Sequence, residues 1–163
     1  MPTYFFDTSA LQHRYVDSTY SKVVRRIISN KKYDCFIADI TVLEIASALA
    51  TRCRGGSLTN KQYDLADQKF WTDIASEKLK TRATTHREVL RARNLIRFAG
   101  VIKQRKLSSN DALIAVCALE LALELKEKVI LYTSDWGLYD ISRGLDAYKS
   151  ALKLRFLGTP RVS

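Results

Sequence analysis

Four acidic side chains occupy positions that would lie near the edge at which parallel α/β sheets bind ligands. Two short apolar runs of the sequence each end on an aspartate, Asp7 and Asp135. Such runs are typical of buried parallel strands, and ligands bind at the carboxyl ends of those strands. Glu44 and Asp111 lie at the starts of two apolar helical stretches between them. We therefore expect the four carboxylates to form one acidic cluster.

A cluster of carboxylates favours divalent-metal chemistry. Two carboxylates about 4 Å apart repel each other by about 4 kcal/mol at an effective dielectric constant near 20. Hard cations such as Mg²⁺ relieve this repulsion and prefer oxygen ligands. One or two such ions can activate a water molecule for attack on a phosphodiester. The two histidines, His13 and His86, lie away from these motifs in the sequence, which argues against a histidine-based nuclease or a zinc site.

Three of the acids also fit ordinary structural roles. Asp7 suits an Asx turn or a helix N-cap, because it follows a strand and precedes a helix. Glu44 has the spacing of a capping box with Thr41. Asp111 lies in the first turn of a helix, where the helix dipole stabilises a negative charge. Either role is open to each residue at the level of sequence.

The fourth acid is the least determined. Asp135 repeats the strand-end position of Asp7, and Asp140 is a nearby alternative. Asp39, at the end of the second predicted strand, is expected to cap the helix that follows it.

The composition points to a nucleic-acid partner. The chain of 163 residues is expected to form one domain, and its formal net charge is +10, from 27 Lys and Arg against 17 Asp and Glu. Its three cysteines show no zinc-site spacing and suit the reducing cytoplasm. The apolar stretch 112–125 is too short to span a bilayer, and Asp7 interrupts the first apolar run too early for a signal peptide.

Alternating apolar runs and helical stretches predict a parallel α/β sheet that positions the acids. Gly100 is expected to cap the helix before it. The predicted strands are 3–6, 35–38, 129–133 and 154–157, with an extended edge segment at 83–85, and the predicted helices are 19–29, 41–52, 60–77, 87–99, 109–126 and 138–143.

Four motifs, in this order, resemble the PIN domain family, and within it the VapC-type ribonuclease toxins. They are residues 5–11, 41–49, 110–115 and 132–135, and together with their flanks they span residues 4–141. Each motif is short, but the four motifs in this order are specific to that family. The resemblance implies a three-layer α/β/α sandwich with a mainly parallel sheet of four or five strands, and one PIN-like nuclease domain over residues 1–163.

The same resemblance implies an endoribonuclease that depends on Mg²⁺ or Mn²⁺. It assigns Asp7, Glu44, Asp111 and Asp135 to the metal-binding and catalytic cluster. Thr8, Ser9 and Thr133 would be the supporting hydroxyls. It further implies a toxin held inactive by an antitoxin protein, and a homodimer. No membrane association is expected, because the most apolar stretch is too short to span a bilayer.

A basic run supplies the expected RNA-binding surface. Ten lysines and arginines lie between Lys78 and Lys106, where Glu88 is the only acid. On the predicted helix 87–99, the apolar arc is formed by residues 89, 92, 95, 96 and 99. The four arginines expected to contact RNA phosphates, or else an acidic antitoxin segment, are Arg87, Arg91, Arg93 and Arg97.

Other functions fit these residues less well. A haloacid-dehalogenase-like phosphatase needs a second aspartate at the position of Ser9. A catalytically inactive PIN-like RNA-binding or scaffold protein is the main alternative, and the presence of all four acids argues against it. A nuclease directed at DNA stays open, because phosphate contacts do not identify the sugar.

Overall fold

A computed structural model describes residues 1–159, and its central layer is a sheet of five parallel strands. Their order across the sheet is β3-β2-β1-β4-β5. The last four residues of the predicted domain, 160–163, lie outside the described residues. The strands are β1 (Thr3–Phe6), β2 (Asp34–Ala38), β3 (Lys80–Arg82), β4 (Val129–Thr133) and β5 (Leu152–Phe156).

Eight α-helices of the described region connect and cover these strands. A 3₁₀ turn, Gln12–Arg14, follows the first helix, and a π-helical turn, Phe98–Ile102, follows the fifth. The helices are α1 (Thr8–Leu11), α2 (Ser21–Ile28), α3 (Asp39–Arg54), α4 (Asn60–Ala75), α5 (His86–Arg97), α6 (Ser109–Leu125), α7 (Trp136–Gly144) and α8 (Asp146–Ala151).

The side chains of β1 divide the core into two halves. Phe5 packs into the cluster formed with α5, α6, α7 and α8 on one face of the sheet. Tyr4 and Phe6 point to the other face and pack with residues of α1 to α4. Successive strand residues alternate between faces, so a central strand buried on both sides must be apolar throughout. The predicted α/β/α sandwich is confirmed, with all five strands parallel.

The chain reverses its direction of travel across the sheet at β1 and β4. It moves from β1 outward to β2 and β3, then returns to β4 on the other side of β1 and ends on β5. Phe6 pairs in register with Tyr132, so the two central strands end level with each other. Crevices at such switch points are where open α/β sheets bind ligands.

Three details of the predicted elements were wrong. The edge strand is β3 and not residues 83–85, because Thr85 is the N-cap of α5 in a capping box with Glu88. Gly100 does not cap α5, since it lies inside the π-helical turn. The last strand begins at Leu152 rather than at residue 154. The short helices α1 and α8 were not predicted, because four to six residues show no helical periodicity.

Asp39 joins two segments of the chain and is not the N-cap of the following helix, although its Oδ1 atom accepts the N–H of Ile40 at 2.8 Å. It is the first residue of α3, whose N-cap is Ala38. Its carboxylate accepts hydrogen bonds from the Thr84 hydroxyl and from the Thr84 backbone N–H at 3.0 Å. These bonds lower the pKa of Asp39 and oppose the effect of its burial. Asp39 therefore ties the end of β2 to the segment that precedes α5.

Within residues 1–159, no helix is long and apolar enough to cross a membrane. The most apolar helix, α6, contributes most of one half of the core. All three cysteines are free thiols, as predicted.

A buried ion pair joins the 3₁₀ turn Gln12–Arg14 to α4. Arg14 donates to both carboxylate oxygens of Asp73, at 2.9 and 3.0 Å, and both side chains are buried. The Tyr15 hydroxyl donates to the same carboxylate at 3.3 Å. Removing one partner of a buried pair leaves the other charge without compensation.

We expect Asp73→Ala to destabilise the protein by about 3 to 5 kcal/mol, because Arg14 would stay buried without its partner. The free energy of unfolding in urea measures this effect. Asp17→Ala is the matched control, because the carboxylate of Asp17 is exposed in its pair with Arg25, and it should cost less than about 1 kcal/mol. Equal losses for the two variants would contradict the importance of the buried pair.

Candidate active site

The four acids predicted from the sequence line one cavity. Asp7 comes from the end of β1, Glu44 from α3, Asp111 from the first turn of α6 and Asp135 from the N-cap of α7. The cavity has a volume of about 500 Å³ and opens at the carboxyl edge of the sheet. Its other lining residues are Thr8, Ser9, Ile40, Leu43, Ser47, Ala48 and Asn110.

Asp7 is the buried centre of this cavity, with 2% of its surface exposed. Its backbone N–H donates to the Tyr132 carbonyl at 3.0 Å, which extends the pairing of β1 with β4. Its Oδ2 atom accepts hydrogen bonds from the Ser9 hydroxyl and, at 2.8 Å, from the Thr133 hydroxyl. The same hydroxyls accept the backbone N–H groups of Ser134 and Asp135. The predicted hydroxyls Ser9 and Thr133 therefore hold the ends of β1 and β4 together around the Asp7 carboxylate.

Burial makes the charge on Asp7 unfavourable. It raises the pKa of Asp7 to about 7. The hydroxyl hydrogen bonds act in the opposite direction, whereas the nearby charges of Asp111 and Glu44 raise the pKa further. Burial also raises the pKa of Asp111, and the charges of Asp135 and Glu44 add to it. The four carboxylates are thus close enough to resist each other's ionisation.

Glu44 is held by two side chains from other segments. Thr8 donates to its Oε2 atom at 2.5 Å, and Asn110 donates to its Oε1 atom at 2.6 Å. The capping box with Thr41 is not formed, because α3 begins two residues earlier, at Asp39. Glu44 therefore faces the cavity with both oxygens already hydrogen-bonded.

Asp111 and Asp135 are each fixed through a helix cap. Ser108 caps α6 by accepting the backbone N–H of Asp111 at 3.1 Å, and its hydroxyl donates to Oδ2 of Asp111. Asp135 caps α7, with its Oδ1 atom accepting the N–H of Leu138 at 2.8 Å. The position in the first turn of α6 that the sequence indicated for Asp111 is confirmed, whereas the capping role of Asp135 was not predicted. Both residues line the same cavity.

The oxygen atoms left over suit a divalent cation. Among residues 1–159, no group of three or more acidic, histidine or cysteine side chains is placed so that it could hold a metal ion by itself. Yet Oδ1 of Asp7, Oδ1 of Asp111 and Oδ2 of Asp135 accept no hydrogen bond from the described residues. Mg²⁺ commonly uses only one or two carboxylates and completes its shell with water and phosphate oxygens. The donor set fits such an ion.

Sequence reasoning missed one residue at this site. Asn110 was noted only as part of a motif, but it donates to Glu44; its position directly before Asp111 was the signal available. His13 does not line the cavity, and its Nε2 atom lies 3.2 Å from the Ser134 hydroxyl. Asp140, the alternative fourth acid, forms an ion pair with Arg105 at 2.9 Å and does not line the cavity.

The four arginines predicted to contact RNA do not line the cavity. Arg87, Arg93 and Arg97 are exposed along α5, whereas Arg91 forms an ion pair with the buried Glu120 of α6. The predicted apolar arc was also wrong at Val89, which is 48% exposed. Relative to the orientation predicted from periodicity, the helix is rotated about its axis. As a result Glu88 is buried, where it forms an ion pair with Arg82. The surface of α5 is accordingly less basic than the sequence indicated.

Comparison with known proteins agrees with this architecture. Residues 4–144 match the family described as PIN domain. The chain belongs to the PIN domain family. Comparison with proteins of curated function gives no match.

Solved structures from three bacteria share the fold of this PIN domain. A chain of VapBC2 from Rickettsia felis, solved bound to a promoter DNA fragment, is 14% identical with a TM-score of 0.62, over 94% of this chain and 98% of that one. FitAcB from Neisseria gonorrhoeae is 18% identical with a TM-score of 0.59, over 91% and 94%. VapC20 from Mycobacterium tuberculosis, a toxin that cleaves the sarcin-ricin loop, is 16% identical with a TM-score of 0.59, over 86% and 93%. At these identities the likeness shows the fold alone.

The buried carboxylate of Asp7 predicts a pH-dependent loss of stability when divalent ions are chelated. Its pKa is about 7 in the folded protein against an ordinary value of 3.8. Between these values the unfolded chain has lost a proton that the folded protein still holds. Stability therefore falls as the pH rises from about 4 to about 7, by about 4 kcal/mol from this group. Asp7→Asn should lack this part of the fall.

Urea unfolding at pH 5 and pH 8, with chelator present, measures the effect. The decrease between the two pH values should be smaller in Asp7→Asn than in the wild-type protein, and not absent, because the pKa of Asp111 is also raised. Parallel pH dependence in the two proteins would show that Asp7 ionises freely in the folded state.

Proposed function

We propose that this PIN domain is an endoribonuclease that hydrolyses RNA phosphodiester bonds with Mg²⁺ or Mn²⁺. One observation carries the proposal: three aspartates from separate segments line one cavity, and each has an oxygen that accepts no hydrogen bond from the described residues. Protonation or a cation must offset their mutual repulsion. Near neutral pH, a hard divalent ion would offset it, and water and the phosphate oxygens of a substrate would complete the coordination of that ion.

The proposal gives each acid a role. Asp7 and Asp111, with Asp135, would hold the ion directly or through water. A divalent ion in this place supplies an activated water molecule and neutralises charge that develops on the phosphate. Glu44, held by Thr8 and Asn110, would orient the attacking water. Ser9, Thr133 and Thr8 would support the site by fixing the carboxylates in place.

The resemblance to VapC-type toxins is the reason to propose RNA as the substrate and an antitoxin as a partner. Arg87, Arg93 and Arg97 are proposed to contact RNA or an acidic antitoxin segment, while Arg91 is left to its ion pair with Glu120. A homodimer is part of the same proposal. The free cysteines suit a cytoplasmic location, and we propose a single nuclease domain.

A catalytically inactive RNA-binding or scaffold protein is the second candidate. The observation that favours it is that the acids do not converge into a complete metal site on their own. This candidate predicts RNA binding that neither divalent ions nor loss of the aspartates affects. The first candidate predicts dependence on both.

Cleavage of RNA should require both the metal and the aspartates. Purified protein would be incubated with single-stranded and structured RNA, with Mg²⁺, with Mn²⁺ or with chelator. We expect cleavage only with a divalent ion. The variant Asp7→Asn/Asp111→Asn should be slower by at least about 100-fold, because loss of even indirect metal-site contacts costs 10- to 100-fold.

Asp64→Asn is the matched control, because Asp64 is exposed on α4 and does not line the cavity. It should cleave like the wild-type protein, and circular dichroism should confirm that all variants are folded. Cleavage by the double variant at the wild-type rate would refute the site. RNA binding without cleavage under every condition would favour the inactive protein.

A further inference from the structure

Three of the four residues between the π-helical turn and α6 are basic. We call this segment, Lys103, Gln104, Arg105 and Lys106, the basic loop. All four side chains are exposed, and Leu107 directly after them is buried in the core. Lys103 N–H donates to the Phe98 carbonyl at 3.1 Å, and Arg105 N–H donates to the Ala99 carbonyl at 2.8 Å. These bonds and the buried anchor fix the backbone of the loop.

The backbone of the basic loop lies close to Gly137, two residues after the cavity residue Asp135. A Cβ atom on Gly137 would lie 3.1 Å from the Lys106 carbonyl oxygen and 3.1 Å from Oδ1 of Asp135. The absence of a side chain there lets the Lys106 backbone approach the first turn of α7. On the other side of Lys106, Ser108 caps the helix that presents Asp111. Lys106 therefore lies between the two segments that carry Asp111 and Asp135.

Within the described residues, Lys106 is the cation of the basic loop that neither forms an ion pair nor lies over an aromatic ring. Arg105 forms an ion pair with Asp140, and the Lys103 ammonium lies 5.6 Å from the centre of the Phe98 ring. Lys106 has no ion-pair partner within the described residues. An acidic cavity repels a polyanion, so a substrate phosphate that enters it needs a positive charge close to its mouth. A lysine ammonium is a mobile point charge suited to that task.

We propose that Lys106 binds a backbone phosphate of the RNA next to the scissile bond. The proposal rests on the proposed nuclease function and deepens it by naming a contact outside the acidic cluster. Neither Lys106 nor the four arginines of α5 line the cavity, but the backbone of Lys106 lies beside Gly137, between the segments that carry Asp111 and Asp135. The helix α5 packs on α6, with Arg91 paired to Glu120. The basic loop follows the π-helical turn at the C-terminal end of α5.

Binding of a fluorescent single-stranded RNA 12-mer by the cleavage-impaired Asp7→Asn protein would test the contact. In that background Lys106→Ala should weaken binding on the order of 5-fold at low salt. It should also reduce the slope of log affinity against log salt by about 0.7, because one phosphate contact is lost. Lys106→Arg should restore both values, since it keeps the charge.

Lys128→Ala is the matched control, because Lys128 is exposed and directly precedes β4, at the opposite edge of the sheet. It should leave the slope unchanged. If Lys106→Ala has the same affinity and slope as its parent while wild-type protein cleaves RNA, this inference is overturned and the nuclease function stands. If the wild-type protein neither binds nor cleaves RNA, both are overturned.

Discussion

The site depends on one constraint, the placement of a buried carboxylate where two parallel strands end level. β1 and β4 are hydrogen-bonded neighbours, and Asp7 follows the last residue of β1 inside the core. Ser9 and Thr133 each donate to this carboxylate and accept a backbone N–H from the β4–α7 junction. The hydrogen bonds stabilise the charged form of Asp7, yet burial outweighs them and its pKa stays raised. The fold thus holds a carboxylate in a place where its ionised form requires a counterion.

Away from the cavity, several arginines are paired with acidic side chains. The net charge of +10 suggests a uniformly basic surface, but several arginines are used inside the structure. Arg14 is buried against Asp73, Arg82 joins Glu88 to Glu124, and Arg91 pairs with Glu120. These pairs fix the packing of α4 and α5 and remove positive charge from the outer surface. Unpaired cations near the cavity therefore matter more for a polyanionic substrate than the total charge does.

The fold and the acidic cluster could be predicted from local patterns. Asp7 and Asp135 follow apolar runs that form neighbouring parallel strands, and the end of each strand is visible in the sequence. The packing of α5 could not be predicted in this way. Its arginines were assigned to the surface and its Val89 to the interior from helical periodicity alone. In the structure, Glu88 is buried in an ion pair with Arg82 of β3, and Arg91 pairs with Glu120 of α6. Pairs between distant segments depend on the rotation of a helix, which a single sequence does not specify.

Calorimetric titration of Mn²⁺ into the protein tests the central claim most directly. If the ionised carboxylates of the cavity require a cation, the wild-type protein should bind Mn²⁺ and release protons at pH 6, where Asp7 is mostly protonated. At pH 9 binding should release almost none, and Asp7→Asn/Asp111→Asn should not bind at either pH. The proton count comes from repeating the titration in buffers of different ionisation enthalpy. Absence of binding by the wild-type protein, or equal binding by the double variant, would contradict the account.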